Sequence, residues 1–176
     1  KSRQTVAKCK ALNPNARIMI CGCASEKNAN QFENIDGVTF IKGVANKQEM
    51  VNSLNENGIK IDKNPLKYDD TYVAMPTKTR AYIKIQDGCN NFCSYCIIPY
   101  LRGRSRSRNI VSVLNEVDKL SKQVKEIIIT GIDVSDYKID GEKALPFLLE
   151  KLEPYQDIRF RLSSLEQGIA DQKLMD

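Results

Sequence analysis

The sequence predicts an α/β protein in two parts, the second built on parallel strands. Residues 80–176 alternate strand and helix patterns in the order β-loop-α-β-α-β, the signature of parallel strands joined by right-handed crossovers. Ile127-Ile128-Ile129 is apolar on both faces, as expected of a central parallel strand. The N-terminal third also mixes short apolar strands with helical patterns. The 176 residues suffice for one ordinary domain or two small ones. With 41% hydrophobic and 28% charged residues, the chain has a globular rather than a disordered composition. Its apolar runs are too short to span a bilayer, and no leader pattern marks secretion. Histidine is absent, which removes imidazole ligands and every Ser-His or Cys-His mechanism.

Residues 1–12 read as a helix with Val6, Cys9 and Leu12 on one face, broken by Asn13-Pro14-Asn15. Arg17–Cys21 is a short apolar strand ended by Gly22, and Val38–Ile41 a second strand. Asn46 suits the cap of a helix running through Met50, Val51 and Leu54 to Gly58, a C-cap candidate. Residues 60–79 hold lysine, aspartate, asparagine and two prolines with little periodicity and read as a linker. The boundaries are set at 1–64, a 65–79 linker, and 80–176. In Arg80–Gln86, Ala81, Ile83 and Ile85 alternate with Tyr82 and Lys84. A helix from Asn109 to Lys122 carries the stripe Ile110, Val113, Leu114, Val117, Leu120. Leu145, Leu148, Leu149 and Leu152 line another, with Pro146 tolerated in its first turn. Ile158, Phe160 and Leu162 alternate in a last strand. Loops 87–108, 130–142 and 163–168 then follow the three strands on one face, where such folds build their sites. Three strands cannot close a barrel, so the sequence reads as a fragment.

The net charge of +5 is uneven: +4 over residues 1–64, +5 over 65–108 and −4 over 109–176. The excess peaks at Arg102, Arg104, Arg106 and Arg108. Such a run either attracts phosphate backbones or is surface charge and ion pairing.

Cys89, Cys93 and Cys96 form C-x3-C-x2-C. Three thiolates on one short loop suit a soft metal centre. A disulfide reading lacks any sign of an oxidising compartment. A structural zinc site wants four ligands, and the other cysteines lie 66 or more residues upstream. A 4Fe-4S cluster held by three thiolates leaves one iron open for a chelating cofactor. Zinc in a nucleic-acid-binding module without catalysis remains the competing reading.

The flanks of this loop narrow the choice. Ile85–Arg108 contains the triplet, then Ile98-Pro99-Tyr100 and Arg102-Gly103-Arg104-Ser105-Arg106-Ser107-Arg108; the whole resembles the radical SAM methylthiotransferases. Ile129-Thr130-Gly131-Ile132-Asp133 and Arg159-Phe160-Arg161-Leu162-Ser163-Ser164-Leu165-Glu166 add to the resemblance. The latter is similar to the subgroup acting on N6-threonylcarbamoyladenosine in tRNA. The isopentenyladenosine subgroup would show Ser-His-Pro there, and the ribosomal-protein subgroup a different cysteine loop. Asn13-Pro14-Asn15-Ala16-Arg17 and Gly22-Cys23-Ala24 fit the family's N-terminal domain.

The resemblance implies the C-terminal part of that domain over 1–64, then the first half of a partial (βα) radical SAM barrel. The missing pieces would be the start of the N-terminal domain, the later barrel strands and the RNA-binding TRAM module. It implies a tRNA-modifying transferase that adds a methylthio group to carbon 2 of the modified adenosine beside the anticodon. The implied cofactors are S-adenosylmethionine and two 4Fe-4S clusters. Cys89, Cys93 and Cys96 would ligate the radical-generating cluster, and Cys23 would be the third ligand of the second. Tyr95 would lie against the cofactor adenine, or pack the loop. Thr130 and Gly131 would approach its methionyl end, Gly131 otherwise serving a plain turn. Ser163, Ser164 and Glu166 would bind its amino or ribose groups, unless Ser164 caps a helix with Gln167. The four arginines would contact RNA. Cys9 and Cys21 read as buried apolar thiols. The expected partners are tRNA and an electron donor, with no membrane, for a monomer in the cytoplasm.

Overall fold

The computed structural model describes residues 2–62, 65–70 and 79–166. It divides into two units, Lys1–Pro65 with Tyr95–Gly103, and Leu66–Ser94 with Arg104–Asp176. Each is mixed α/β around a parallel sheet.

The first unit runs α1 (Ser2–Leu12), β1 (Ile18–Ile20), α2 (Cys23–Lys27), α3 (Asn30–Glu33), β2 (Val38–Lys42), α4 (Gln48–Asn52) and β3 (Gly58–Lys60), joined by α5 (Ile98–Arg102). Its strands are parallel in the order β1-β2-β3. Past α1, the Asn13 Oδ1 accepts from Asn15 N at 3.0 Å, an Asx turn that leads into β1. The inward face of α1 differs from expectation. Val6 is buried, but Cys9 and Leu12 are exposed. The face runs instead through Val6 and Lys10, four residues apart, and the Lys10 stem lies over Gly37. Cys21 is exposed as well, so neither thiol is the buried one expected. The helix predicted from Asn46 to Gly58 is shorter. Asn46 has φ 49°, α4 ends at Asn52, and Gly58 opens β3, paired with Phe40. Val51 and Leu54 are exposed. Residues 58–60 belong to the sheet, so no linker begins at residue 60.

The sheet's C-terminal end encloses a charge. Lys42 is fully buried, and its Nζ donates to Glu49 Oε2 and Asp62 Oδ2, both at 2.6 Å. Lys60 adds a bond to Glu49 Oε1 at 2.8 Å. Burial works against the Lys42 charge, but the bonds to Asp62 and Glu49 outweigh it and raise its pKa above 10.5. The bonds from Lys42 and Lys60 hold the Glu49 carboxyl down to about 2. A depressed carboxylate stabilises the fold above its ordinary range, and that contribution is lost as pH falls toward 2. A raised lysine stabilises below 10.5 and loses this as pH rises beyond it. Urea midpoints for this unit are therefore expected to fall at both extremes. Glu49→Gln should flatten the acid limb; an acid limb identical to wild type would overturn the assignment.

The second unit runs β4 (Arg80–Lys84), β5 (Gln86–Asp87), β6 (Arg106–Ser107), α6 (Ile110–Ser121), β7 (Glu126–Thr130), a 3-10 turn (Val134–Asp136), β8 (Lys138–Ile139), β9 (Glu142–Lys143), α7 (Leu145–Leu152) and β10 (Arg159–Leu162). Here the expected elements appear. Asn109 caps α6, its Oδ1 accepting from Val111 N at 2.9 Å and Ser112 N at 3.4 Å. The sheet order is β10-β7-β4, all parallel, with Arg80 and Arg159 both opposite Glu126. β7 is therefore central. Its Ile127 and Ile129 are fully buried with Ile83, Val113, Val117 and Leu148 in the core, while Ile128 is half-buried. Each such isoleucine contributes about 1.5–3 kcal/mol of burial. This register brings the C-terminal ends of the three strands to one edge. Among the described residues, no helix is long and apolar enough to cross a membrane.

Candidate functional site

The cysteine loop springs from a two-residue antiparallel neck. Gln86 pairs with Ser107 and Asp87 with Arg106; the chain leaves at Gly88, with φ 75°, and returns at Ser105. Asp87 and Arg106 are both buried. Asp87 Oδ2 takes Lys84 Nζ at 2.8 Å and Arg106 Nη2 at 3.3 Å, while its Oδ1 accepts from Gly88 N at 2.9 Å. Arg106 Nη1 also donates to the Arg104 carbonyl at 2.7 Å.

Gln86 is buried completely and its amide joins two loops. Nε2 donates to Gly88 O at 2.8 Å and Ser105 Oγ at 2.9 Å. Oε1 accepts from Ile132 N at 3.0 Å and Asp133 N at 2.9 Å. Gly131 makes room: a Cβ there would lie 3.0 Å from both Gln86 O and Oε1. Its lack of a side chain thus serves a close approach to Gln86.

The strand-end loops meet as the parallel topology predicts. Ser163 Oγ donates to Thr130 Oγ1 at 2.9 Å, and Ser163 N to Ile129 O at 3.1 Å. From within the cysteine loop, Asn91 Nδ2 donates to Glu166 Oε1 at 3.0 Å and reaches Asp133 Oδ2 at 3.4 Å. Glu166 N donates to Ser135 Oγ at 2.7 Å. Asp133 is buried, and its Oδ1 has no hydrogen-bond partner among the described residues. Burial would raise the Asp136 carboxyl, but hydrogen bonds from Ser105 and Lys138 hold it below the usual range. Ser164 has φ 57°, and its carbonyl accepts from Val134 N at 3.1 Å. Gln167, its expected capping partner, lies outside the described residues.

The arginine run divides. Arg108 is buried and ion-paired with Glu116 and Asp70, with Ser112 Oγ at 2.9 Å from Nη2. Burial opposes its charge, but Glu116 and Asp70 outweigh it and raise its pKa. Tyr137 donates to the Arg108 carbonyl at 3.0 Å, and burial pushes that hydroxyl up to about 12. Arg106 and Arg108 are therefore interior ion-pair partners, which corrects their reading as RNA contacts. Arg104 is exposed, its guanidinium 4.3 Å from the Phe92 ring centroid; Arg102 is half-buried in α5. Tyr95 is 91% exposed, which removes loop packing as its role.

None of the six cysteines is in a disulfide. Cys89 and Cys93 belong to the second unit; Cys96 falls in the segment Tyr95–Gly103 and Cys23 opens α2, both in the first. The donor set fits a soft cluster: three thiols outside any disulfide, with no competing imidazole. The Cys89 sulfur already accepts from Asn91 N at 3.4 Å, the kind of bond that tunes a cluster-ligating thiolate. Among the described residues, no three Cys, Asp or Glu side chains are gathered closely enough to hold a metal ion.

The model of the Radical SAM superfamily matches residues 83–172, just over half the chain. The chain belongs to the radical SAM superfamily. Its relatives include the threonylcarbamoyladenosine tRNA methylthiotransferase MtaB of Chlamydia pneumoniae, 37% identical over 161 residues, covering 88% of this chain and 35% of that one. The tRNA-2-methylthio-N(6)-dimethylallyladenosine synthase of Thermodesulfovibrio yellowstonii is 32% identical over 160 residues, covering 85% and 36%. The ribosomal protein methylthiotransferase RimO of Clostridium tetani is 34% identical over 160 residues, covering 84% and 36%. The chain thus spans little more than a third of these relatives' length.

Radical SAM proteins hold a 4Fe-4S cluster and S-adenosylmethionine, whose reductive cleavage supplies radical chemistry when both are bound. In this member, Cys89, Cys93 and Cys96 are the residues that would hold the cluster. The cysteine spacing is legible in the sequence, whereas the hydrogen bonds that Gln86 and Asn91 make in and around this loop are not. Gln86 carries one clue in the sequence: a polar residue directly after the inward-facing Ile83 and Ile85. Asn91 carries none, because its partners lie 42 and 75 residues away.

Proposed function

We propose that this chain is part of a tRNA methylthiotransferase that converts N6-threonylcarbamoyladenosine beside the anticodon to its 2-methylthio derivative. The observation that carries this reading is the segment Ser163–Glu166. It resembles the subgroup for that nucleoside in sequence, and its Glu166 takes the Asn91 amide of the cysteine loop at 3.0 Å. A segment that varies with substrate thereby touches the loop that bears the cluster ligands. Three relatives with three different named substrates lie within a few per cent of one another in identity, so the motif, not overall similarity, supports the choice.

In this reading Cys89, Cys93 and Cys96 ligate the catalytic cluster, and Cys23 completes a second one in the full-length protein. Tyr95 offers an exposed ring to stack on adenine. Thr130, Gly131, Ser163 and Glu166 border the cofactor at the strand ends, with Thr130 and Ser163 oriented by their mutual hydrogen bond. Arg102 and Arg104 contact RNA, since guanidinium groups suit phosphate geometry. The protein's contribution is orientation and exclusion of water from a reactive species. A one-electron donor is the required partner, and the enzyme acts as a cytoplasmic monomer.

The test is nucleoside mass spectrometry of tRNA from cells lacking the gene. The expected result is complete loss of 2-methylthio-N6-threonylcarbamoyladenosine with its unthiolated precursor accumulating. Loss of 2-methylthio-isopentenyladenosine instead, or an unchanged tRNA profile, overturns the reading. Colourless protein with stoichiometric zinc after anaerobic purification would favour a nucleic-acid-binding module.

A further inference from the structure

We propose that Gln86 is the positioning residue of the cysteine loop, fixing its neck to the end of β7 and so setting the direction in which Gly88-Cys89 leaves the sheet. This rests on the assignment of Cys89, Cys93 and Cys96 as cluster ligands. A buried glutamine amide offers two donors and one acceptor oxygen, and here every one is committed, to its own stem, to the returning strand and to the end of β7. Nε2 binds Gly88 O, one residue before Cys89, and Ser105 Oγ on the returning strand. Ser105 in turn bonds the Asp136 carboxylate. Oε1 binds the consecutive amides of Ile132 and Asp133. One planar group thus sets the distance between both stems of the loop and the 131–136 segment. The fit is close, because a Cβ on Gly131 would come within 3.0 Å of that amide oxygen.

A glutamine needed only to fill the core would not require this arrangement. The two amides it accepts from, and the carbonyl it donates to, are the groups whose direction decides where Gly88-Cys89 leaves the sheet. Groups that orient a ligand from behind typically change affinity or activity 10–100-fold when replaced, and displacement of reacting groups by about 1 Å is enough for a comparable loss.

The test uses the full-length protein with Gln86→Glu, which keeps an acceptor for Ile132 and Asp133 but removes the amide donors to Gly88 and Ser105. In iron-free protein, hydrogen exchange at the amides of 88–91 is expected to accelerate about tenfold, while the α6 amides stay as in wild type. After anaerobic reconstitution, iron content should match wild type, and the S-adenosylmethionine Kd, read from the cofactor-induced change in the EPR spectrum of the reduced cluster, should rise about tenfold. If Gln86→Glu does not fold, Gly131→Ala presses on the same amide without removing a polar group, and is expected to shift the exchange readout in the same direction. A folded variant with wild-type exchange at 88–91 and wild-type Kd overturns the proposal, and so does a lowered melting temperature with both readouts unmoved. Should the wild type itself take up no iron, the ligand assignment fails, while the exchange arm still decides whether Gln86 positions the loop.

Discussion

Alanine at any one of Cys89, Cys93 or Cys96 is expected to abolish reductive cleavage of S-adenosylmethionine by the full-length protein, measured as 5′-deoxyadenosine released, and to remove the visible absorption of the cluster. If these three thiols are the only protein donors to the cluster, losing one would leave too few soft donors to hold it. No histidine exists anywhere in the chain to substitute. Cleavage retained by any of the three variants would falsify the ligand set. Cys23→Ala is expected to act differently: cleavage persists and methylthio transfer stops. Loss of both activities together would count against a separate second cluster. Serine at the exposed Cys9 and Cys21 should change neither readout and serves as the control.

Arg108→Ala should destabilise the second unit by about 3–5 kcal/mol, the usual consequence of leaving one member of a buried pair behind. Glu116 is only 2% exposed and its Oε1 already lacks a hydrogen-bond partner among the described residues. Without Arg108 its other oxygen loses the guanidinium too, which leaves a buried polar group uncompensated. Asp70 and Ser112 lose the same partner. Urea unfolding of the full-length protein measures the effect. Arg104→Ala, at an exposed guanidinium on Phe92, is expected to cost no more than about 0.5–1 kcal/mol. Replacing Arg108 and Glu116 together by Met and Leu should recover most of the loss, since apolar pairs of similar volume often substitute for buried ions. If Arg108→Ala leaves stability intact but weakens RNA binding and flattens its salt dependence, the interior assignment is wrong.

These two predictions divide at the boundary between what was legible in the chain and what was not. The strand and helix order of 80–162 was readable because its signals are local. Period-two burial marks Ala81, Ile83 and Ile85, a helical stripe marks Val113, Val117 and Leu120, and Asn109 can cap only the helix beside it. In the first unit the signals were weaker. β3 is a three-residue strand whose existence depends on pairing with Phe40–Lys42, and Gly58 was open to reading as a helix stop. Cys9 sits at a plausible apolar spacing, yet the long stem of Lys10 covers the neighbouring surface instead.

By itself the sequence determined the parallel α/β scaffold, the three-thiolate loop and the superfamily, because each is carried by residue types at short, fixed spacings. Only the tertiary structure decided which arginines face inward, what Gly131 makes room for, and that Gln86 and Asn91 brace the cysteine loop. Those outcomes rest on burial and on hydrogen-bond partners dozens of residues apart. A charged or amide side chain has no fate of its own: whether water or a folded neighbour satisfies it is settled when distant segments close over it.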